Sequence, residues 1–527
     1  MDPALALDVK ILSQLRSVRA AEERGDSDIQ RLYEGAVVFI TGGTGFLGKQ
    51  LVEKLLRACR GIKKVYLLSR SKKGKSMTER LKITLEDPVF DEVRKVDPEF
   101  EKRIQPVEGD IMELRLGLSD KDWETLASEV NFIFHEAATV RFDEPIKVAI
   151  ITNVRGTREC LALARDCRNL QAFVYVSTAY SNCNKSSVEE KLYPAPVPAQ
   201  TMIEFVENVD ESRLDALTPT LIDGWPNTYT FSKAIAENAV KTFGHGLPIC
   251  VVRPSIVVPT YLEPVPGWLD ISNVFGPSGI ILGSGIGLVR TLWVDPNVML
   301  DLVPVDYVNN LTIAASWDTV QRNESGDTDL KFYTVSCIRN RFTWVSLRQT
   351  AEKVGRKLLS PKTVWYCDCT EVVSRRAFQF YTLLLHLVPA LLVDTVLAVT
   401  GISQIRLTRI YKKAYKLNTT LSYFLIKTFD WHDDNTLALF NKLSKTDQEI
   451  FTFDIARIDY RNLMIIWWLG LRKFIIKDEL KGTEEAVKRQ PYLKVAHYVI
   501  SLLYIFCIYK VLSLVLNLLM YLVSFVF

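Results

Sequence analysis

The segment that most constrains this chain is a short apolar run that ends in glycines. Gly35-Ala36-Val37-Val38-Phe39-Ile40 has the β-branched, unbroken apolar character of a strand buried on both faces. It leads into Thr41-Gly42-Gly43-Thr44-Gly45-Phe46-Leu47-Gly48, and Lys49 to Cys59 follows with Leu51, Val52, Leu55 and Leu56 at helical spacing. Strand, glycine turn and helix in that order predict the opening unit of a doubly wound parallel α/β sheet of Rossmann type. Gly42 permits the sharp turn, Gly45 lets amides at the helix N-terminus approach a pyrophosphate, and Gly48 allows close helix–strand packing. The candidate cofactor-binding residues of this turn are Thr41, Gly42, Gly45, Phe46, Leu47 and Gly48.

The spacing is G-x-x-G-x-x-G, which resembles the extended branch of the short-chain dehydrogenase/reductase superfamily. Lys64 to Leu68 reads as a second strand that closes on Ser69-Arg70. A site for NAD would place an acid here for the ribose hydroxyls. This chain has Arg70, Lys72, Lys73 and Lys75 instead, and no acid before Glu79. Such a cationic cluster suits a 2′-phosphate and predicts NADPH as the cofactor. A third strand, Ile104 to Val107, leads to Gly109-Asp110-Ile111; the resemblance assigns Asp110 to the adenine and places Ile111 in the same cofactor set. After a fourth strand, Asn131 to His135, come Glu136-Ala137-Ala138, and in the superfamily small residues at Ala137 and Ala138 let the nicotinamide half lie against the backbone. His135 reads as a strand-end residue and not as a ligand. Asn153-Val154-Arg155-Gly156-Thr157 looks like the N-V-x-G-T motif, whose Asn supports the active-site geometry.

A fifth strand, Ala172 to Val176, ends at Ser177-Thr178, and Tyr229-Thr230-Phe231-Ser232-Lys233 opens a later helix. Tyr229 and Lys233, four residues apart, share one helical face. A free phenol, with pKa about 10, is a poor acid or base at neutral pH, and a neighbouring ammonium favours its phenolate. Lys233 can also bind the nicotinamide ribose. A hydroxyl from Thr178, or from its neighbour Ser177, would share the substrate carbonyl oxygen with Tyr229 and polarise it; alignment of the motif favours Thr178. The expected catalytic set is therefore Thr178, Tyr229 and Lys233.

Val251-Val252-Arg253-Pro254-Ser255 resembles the sixth strand and R-P-S motif of extended reductases, which adds Pro254 to the cofactor set. Glu263-Pro264-Val265-Pro266-Gly267-Trp268, Asn273, Gly276-Pro277 and Asp301 to Asp306 follow in a succession similar to the alcohol-forming fatty acyl-CoA reductases of animal and insect type. The stretch through Trp431, Asn435, Leu443, Asp447, Phe451, Asp454 and Asp459 resembles their C-terminal "sterile" domain. The resemblance covers roughly Tyr33 to Leu480. It implies reduction of a long-chain fatty acyl-CoA by two NADPH to a primary alcohol, through an aldehyde, with release of CoA. Rivals on the same scaffold are a membrane-bound hydroxysteroid dehydrogenase, a sugar epimerase, or a catalytically silent NADPH-binding scaffold.

Four regions are expected: a charged, helix-prone leader at 1–33, a reductase with its substrate lobe at 34–360, a helical domain at 361–490 and a transmembrane tail at 495–527. The tail from Tyr498 carries Lys510 as its only charge, and about 20 apolar residues suffice to span a bilayer. Phe378 to Val399, interrupted by His386, Pro389 and Asp394, reads as a kinked interfacial or re-entrant segment, with a buried helix and a second span as the alternatives. Lys473, Lys477, Lys481, Lys488, Arg489 and Lys494 precede the tail and place the body in the cytosol. The endoplasmic reticulum membrane is the expected location, with the peroxisome as alternative. A net charge of +4 gives no case for nucleic acid, and the nine cysteines show no zinc spacing, so no metal is expected. Oligomeric state, a homodimer included, is left open.

Overall fold

The structure, a computed structural model, describes residues 1–13, 15–70, 74, 76–271, 274, 276–401 and 406–524. Lys72, Lys73, Lys75 and Asn273 lie outside the described residues. Seven strands form one sheet: β1 Val37–Thr41, β2 Lys64–Ser69, β3 Ile104–Glu108, β4 Phe132–His135, β5 Ala172–Val176, β6 Ile249–Pro254 and β7 Lys331–Val335. They run in the order β7-β6-β5-β4-β1-β2-β3, every pair parallel. The order reverses between β1 and β4, which opens a crevice at their carboxyl ends. The doubly wound α/β fold expected from the glycine turn is present, and β7 is added at one edge.

Alternate residues of each strand enter different layers. Val38 and Ile40 meet Leu51 and Leu55 of α1 (Phe46–Ala58) and Leu311 of α4 (Val305–Glu324). Val37 and Phe39 face the layer of Leu161 in α2 (Gly156–Asp166) and Ile235 in α3 (Thr228–Phe243). Helices on both faces explain why the strands are apolar throughout.

Helix α1 is buried on its polar side too, and there the sequence reading falls short. Gln50, Glu53 and Lys54 are fully buried. Lys54 Nζ donates to both carboxylate oxygens of Glu263, at 2.7 and 2.8 Å, and to the Ile450 carbonyl at 2.7 Å. Arg57 bonds Glu53 at 2.7 Å, Glu263 at 2.8 Å, and Glu22. Burial alone would raise the Glu263 carboxyl, but Lys54 and Arg57 outweigh it and hold the group well below the usual range. Burial lifts Glu53 to about 7 against the pull of Arg57. One cluster thus joins the N-terminal segment, α1, the loop after β6 and the C-terminal region.

Residues 1–33, expected as a leader, are largely helical and belong to the packed body. Ala4, Ile11, Ala21, Ile29 and Tyr33 lie in the core, and Asp8 pairs with Lys473 at 3.0 Å. Asp8 and Glu22 find their partners, Lys473 and Arg57, elsewhere in the chain.

The C-terminal region is helical: α5 Arg375–Thr400, α6 Leu407–Leu425, α7 Tyr460–Gly470 and α8 Thr483–Ser524. Trp467 of α7 donates to Ser278 at 3.1 Å, and Asp430–Trp431 pairs with Ser187–Val188, so this region is sewn to the reductase body. α5 and α6 form a hairpin: the Asp394 carboxylate accepts from the amides of Leu407 and Thr408 at 2.7 and 3.0 Å. α5 and α8 are long and apolar enough to cross a membrane by length and composition, and none of the most apolar stretch of α8 is buried. The two helices touch where Tyr504 donates to the Leu384 carbonyl at 3.0 Å.

Removing one partner of a buried ion pair strands the other. Glu263→Gln is expected to lower stability by about 3–5 kcal/mol, read as a fall in the denaturant midpoint. Glu189→Gln, which breaks an exposed pair with Lys191, should leave the midpoint in place.

Candidate active site

The glycine turn is built by close approach on two sides. Gly42 has φ +81°, and a Cβ there would stand 2.8 Å from the Ala137 amide nitrogen. A Cβ on Gly48 would stand 2.3 Å from the Gly42 carbonyl oxygen. Gly45 caps α1 without a side-chain bond, so the first-turn amides are left for an anion. Phe46 stacks on Trp268 at 5.3 Å, and the Leu47 carbonyl accepts from Asn309 at 2.9 Å; together they fix the start of α1. Thr41 Oγ1 bonds His135 Nδ1 at 2.7 Å and accepts the Ala137 amide at 3.2 Å. His135 Nε2 reaches Thr157 Oγ1 at 3.0 Å. Burial first, then the Lys233 charge, push this imidazole down to about 3, so it is a neutral strut.

Ala137 and Ala138 follow β4 and are half-buried. At the ends of β2 and β3, Arg70 pairs with Asp110 at 3.2 Å, and Arg70 is half-exposed. Ile111 packs over Gly156, whose Cβ would lie 2.6 Å from Ile111 Cγ1. Arg70 follows β2, Asp110 and Ile111 follow β3, and Ala137 and Ala138 follow β4, so all stand at the carboxyl ends of strands on either side of β1.

Thr178, Tyr229 and Lys233 come together at the carboxyl end of β5. Asn227 caps α3 by accepting the Thr230 amide at 2.9 Å, which sets Tyr229 in the first turn. Burial raises the Tyr229 phenol to about 12, and a hydrogen bond with Thr178 works against that rise. Lys233 Nζ donates to the Val176 carbonyl at 2.8 Å and to Tyr175 Oη at 3.2 Å. Burial lowers its ammonium to about 7, with Glu237 pulling the other way. Thr178 Oγ1 donates to the Pro254 carbonyl at 3.4 Å and accepts the Tyr180 amide at 3.2 Å. Ser177 is engaged elsewhere, donating at 2.6 Å to Glu237, which is paired with buried Arg253 at 2.7 Å.

Asn153 sits in a π-helical turn, Ile151–Arg155. It accepts the Thr139 amide and donates to Ser232 Oγ, both at 2.9 Å, and so ties the loop after β4 to α3. A phenol and a hydroxyl that share one acceptor position can hold a carbonyl oxygen as it gains charge, and the phenol can then give it a proton.

Three residues escape the sequence reading. Phe142 stacks on Tyr229 at 5.8 Å, Tyr175 holds Lys233, and Glu136 has both carboxyl oxygens buried without a partner. Burial lifts Glu136 to about 8, so it is protonated at neutral pH. Phe142 lies in a loop and Tyr175 in an apolar strand, where neither carries a local signal; Glu136, an acid directly after a buried strand, does. Among the described residues, no group of three or more His, Cys, Asp and Glu side chains could hold a metal ion.

Residues 40–312 match an NAD-binding family model described as male sterility protein, and residues 385–478 match a second, Sterile, with the same description. The chain is 37% identical over 499 residues to fatty acyl-CoA reductase wat of Drosophila melanogaster, covering 93% of this chain and 95% of that one. It is 34% identical over 476 residues to fatty acyl-CoA reductase 2 of Homo sapiens, covering 90% and 91%. Among solved structures, the reductase domain of a nonribosomal peptide synthetase from Mycobacterium tuberculosis superposes with TM-score 0.56 at 18% identity, over 89% of this chain and 98% of that one. That likeness concerns the fold alone. The extent of the match to the relatives, and the nicotinamide-dependent oxidoreductase fold it brings, place this chain in the fatty acyl-CoA reductase family.

Proposed function

We propose that this protein reduces long-chain fatty acyl-CoA to a primary fatty alcohol and CoA, with NADPH as the reductant. The observation that carries the reading is the convergence of Thr178, Tyr229 and Lys233 beside the glycine cradle. When bound, NADPH supplies a hydride to the thioester carbonyl carbon and, after exchange, a second to the aldehyde. Thr178 and Tyr229 hold the carbonyl oxygen as it becomes anionic, collapse of the tetrahedral adduct expels the CoA thiolate, and in the second stage Tyr229 protonates the alkoxide. Lys233 would orient the nicotinamide ribose and, charged beside a bound anion, would favour the Tyr229 phenolate against the burial that raises it. Thr178 is assigned this role over Ser177 because the Ser177 hydroxyl already serves the Arg253–Glu237 pair.

NADPH is preferred to NADH because Arg70 stands at the end of β2, where an acid would serve a free ribose. Binding would draw Arg70 from Asp110 to the 2′-phosphate, leaving Asp110 to the adenine. The reductase unit is taken as 34–360, the helical unit as 361–490 and the membrane tail as 495–527, with the body on the cytosolic side. The endoplasmic reticulum surface is the assigned location, with the peroxisome the alternative.

Full-length protein in detergent with palmitoyl-CoA should consume about two NADPH per alcohol formed; an aldehyde endpoint would overturn the two-stage scheme. Tyr229→Phe should lower kcat by about 10²–10⁴ while NADPH still binds. Arg70→Ala should raise the KM for NADPH about tenfold, in line with a charge-assisted bond of about 1.5–3 kcal/mol, and leave that for NADH unchanged.

The cofactor affinity should depend on pH. Lys233 in the free protein is charged below about 7 and neutral above it, so the dissociation constant of the anionic cofactor should rise as pH increases through 7. Lys233→Arg, charged throughout, should flatten that limb. An affinity that stays level between neutral and alkaline pH in the unsubstituted protein would remove Lys233 from the cofactor site.

A further inference from the structure

The proposed chemistry calls for a place where a long alkyl chain can lie, and helix α6 offers a continuous one. Ile410, Ala414, Leu417, Leu421 and Phe424 follow one another at steps of four and three, so they form a single stripe along α6. At the upper end, the Phe424 ring stands 5.4 Å from Phe142, whose ring stands 5.8 Å from Tyr229. Lys416 pairs with Asp143 at 2.6 Å and fastens α6 to the loop that carries Phe142.

Midway, Ala414 and Leu417 border an apolar cleft whose other walls include Gly279, Ile280, Leu292 and Phe378. The larger polar side chains at its edge are already engaged. Asn418 accepts the Trp293 amide at 2.9 Å, and His386 accepts the Arg290 amide at 2.8 Å. The Thr291 hydroxyl at the cleft has no partner among the described residues, and Tyr415 on the same lining stacks on Phe378. At the lower end Ile410 is exposed, and the Asp394 clasp brings α6 beside α5, whose Leu391, Leu392 and Val396 are 58–60% exposed. From Ile410 to Phe424 the stripe is about 21 Å long at 1.5 Å per residue.

We infer that this face of α6 is the wall along which the acyl chain lies, with its thioester end beneath Phe142 at Tyr229 and its methyl end toward α5. The cleft at Ala414 and Leu417 then limits the chain length accepted. The stripe is apolar from end to end, it runs from the reacting hydroxyls to an exposed apolar helix, and it borders a small cleft of about 30 Å³ that an alkyl chain would enter by displacing the half-buried Leu417 and Leu421. A straight alkyl chain fits these features, since burying its methylenes is favourable and needs no hydrogen-bond partner.

This inference rests on the acyl-CoA reading, and the test separates the two. The full chain in detergent is assayed with octanoyl-CoA, palmitoyl-CoA and arachidoyl-CoA. Ala414→Phe, which narrows the cleft, should lower kcat/KM for palmitoyl-CoA by about tenfold or more and leave octanoyl-CoA and NADPH affinity nearly unchanged. Leu417→Ala, which adds no bulk, should shift the preference toward chains longer than palmitoyl. Equal loss on palmitoyl-CoA and octanoyl-CoA in the first variant, or an unchanged chain-length profile in the second, overturns the passage. Failure of the unsubstituted protein to form alcohol from any of these substrates would instead remove the acyl-CoA reading beneath it.

Discussion

The buried meeting of Lys54 and Arg57 with Glu263 is the constraint on which the assembly of this molecule depends. A charge taken out of water is tolerated only when its partners are fixed in place. Here the partners come from segments hundreds of residues apart: Glu22, the loop at Glu263, the Ile450 carbonyl and, through Glu263 and Thr452, Asn310 of α4. Helix α1, which begins at the glycine cradle, is therefore held by the N-terminal and C-terminal regions packed around it. The cofactor turn is the most local feature of the sequence, yet its support is the most distributed.

Opposite burial effects shape the reacting groups. Low dielectric surroundings push the Tyr229 phenol up and the Lys233 ammonium down, so without cofactor each group leans toward its neutral form. In the proposed reaction an anionic ligand in the cradle would restore the ammonium, and the ammonium would in turn steady the phenolate. Readiness for chemistry would then be coupled to occupancy of the nucleotide site. The neutral His135 between Thr41 and Thr157 contributes position and not charge.

Much of the site was legible because its residues sit at strand ends and helix starts, where glycines, small residues and Tyr–Lys spacing leave local marks. Val37, Lys64 and Ala172 each begin a strand close to where the apolar runs begin. Phe142 and Phe424 were not legible, since Phe142 reaches Tyr229 from a loop, and its contact with Phe424 is made across nearly three hundred residues of chain. The first 33 residues misled for a related reason. Asp8, Glu22 and Ser27 look like a solvated surface until Lys473, Arg57 and Asp447 are brought beside them. Periodicity reports which face of a helix is apolar; it says nothing of a polar face buried against matching charges.

The clasp between Asp394 and the start of α6 has a consequence for how the molecule floats. An ionised carboxylate is costly to immerse in hydrocarbon, and Asp394, six residues before the end of α5, is bound to three donors that hold it there. Were α5 to enter a bilayer, this carboxylate would favour a depth that keeps it at the headgroups. Asp394 would then act as a waterline for the hairpin, whereas α8 from Tyr498 onward carries no carboxylate.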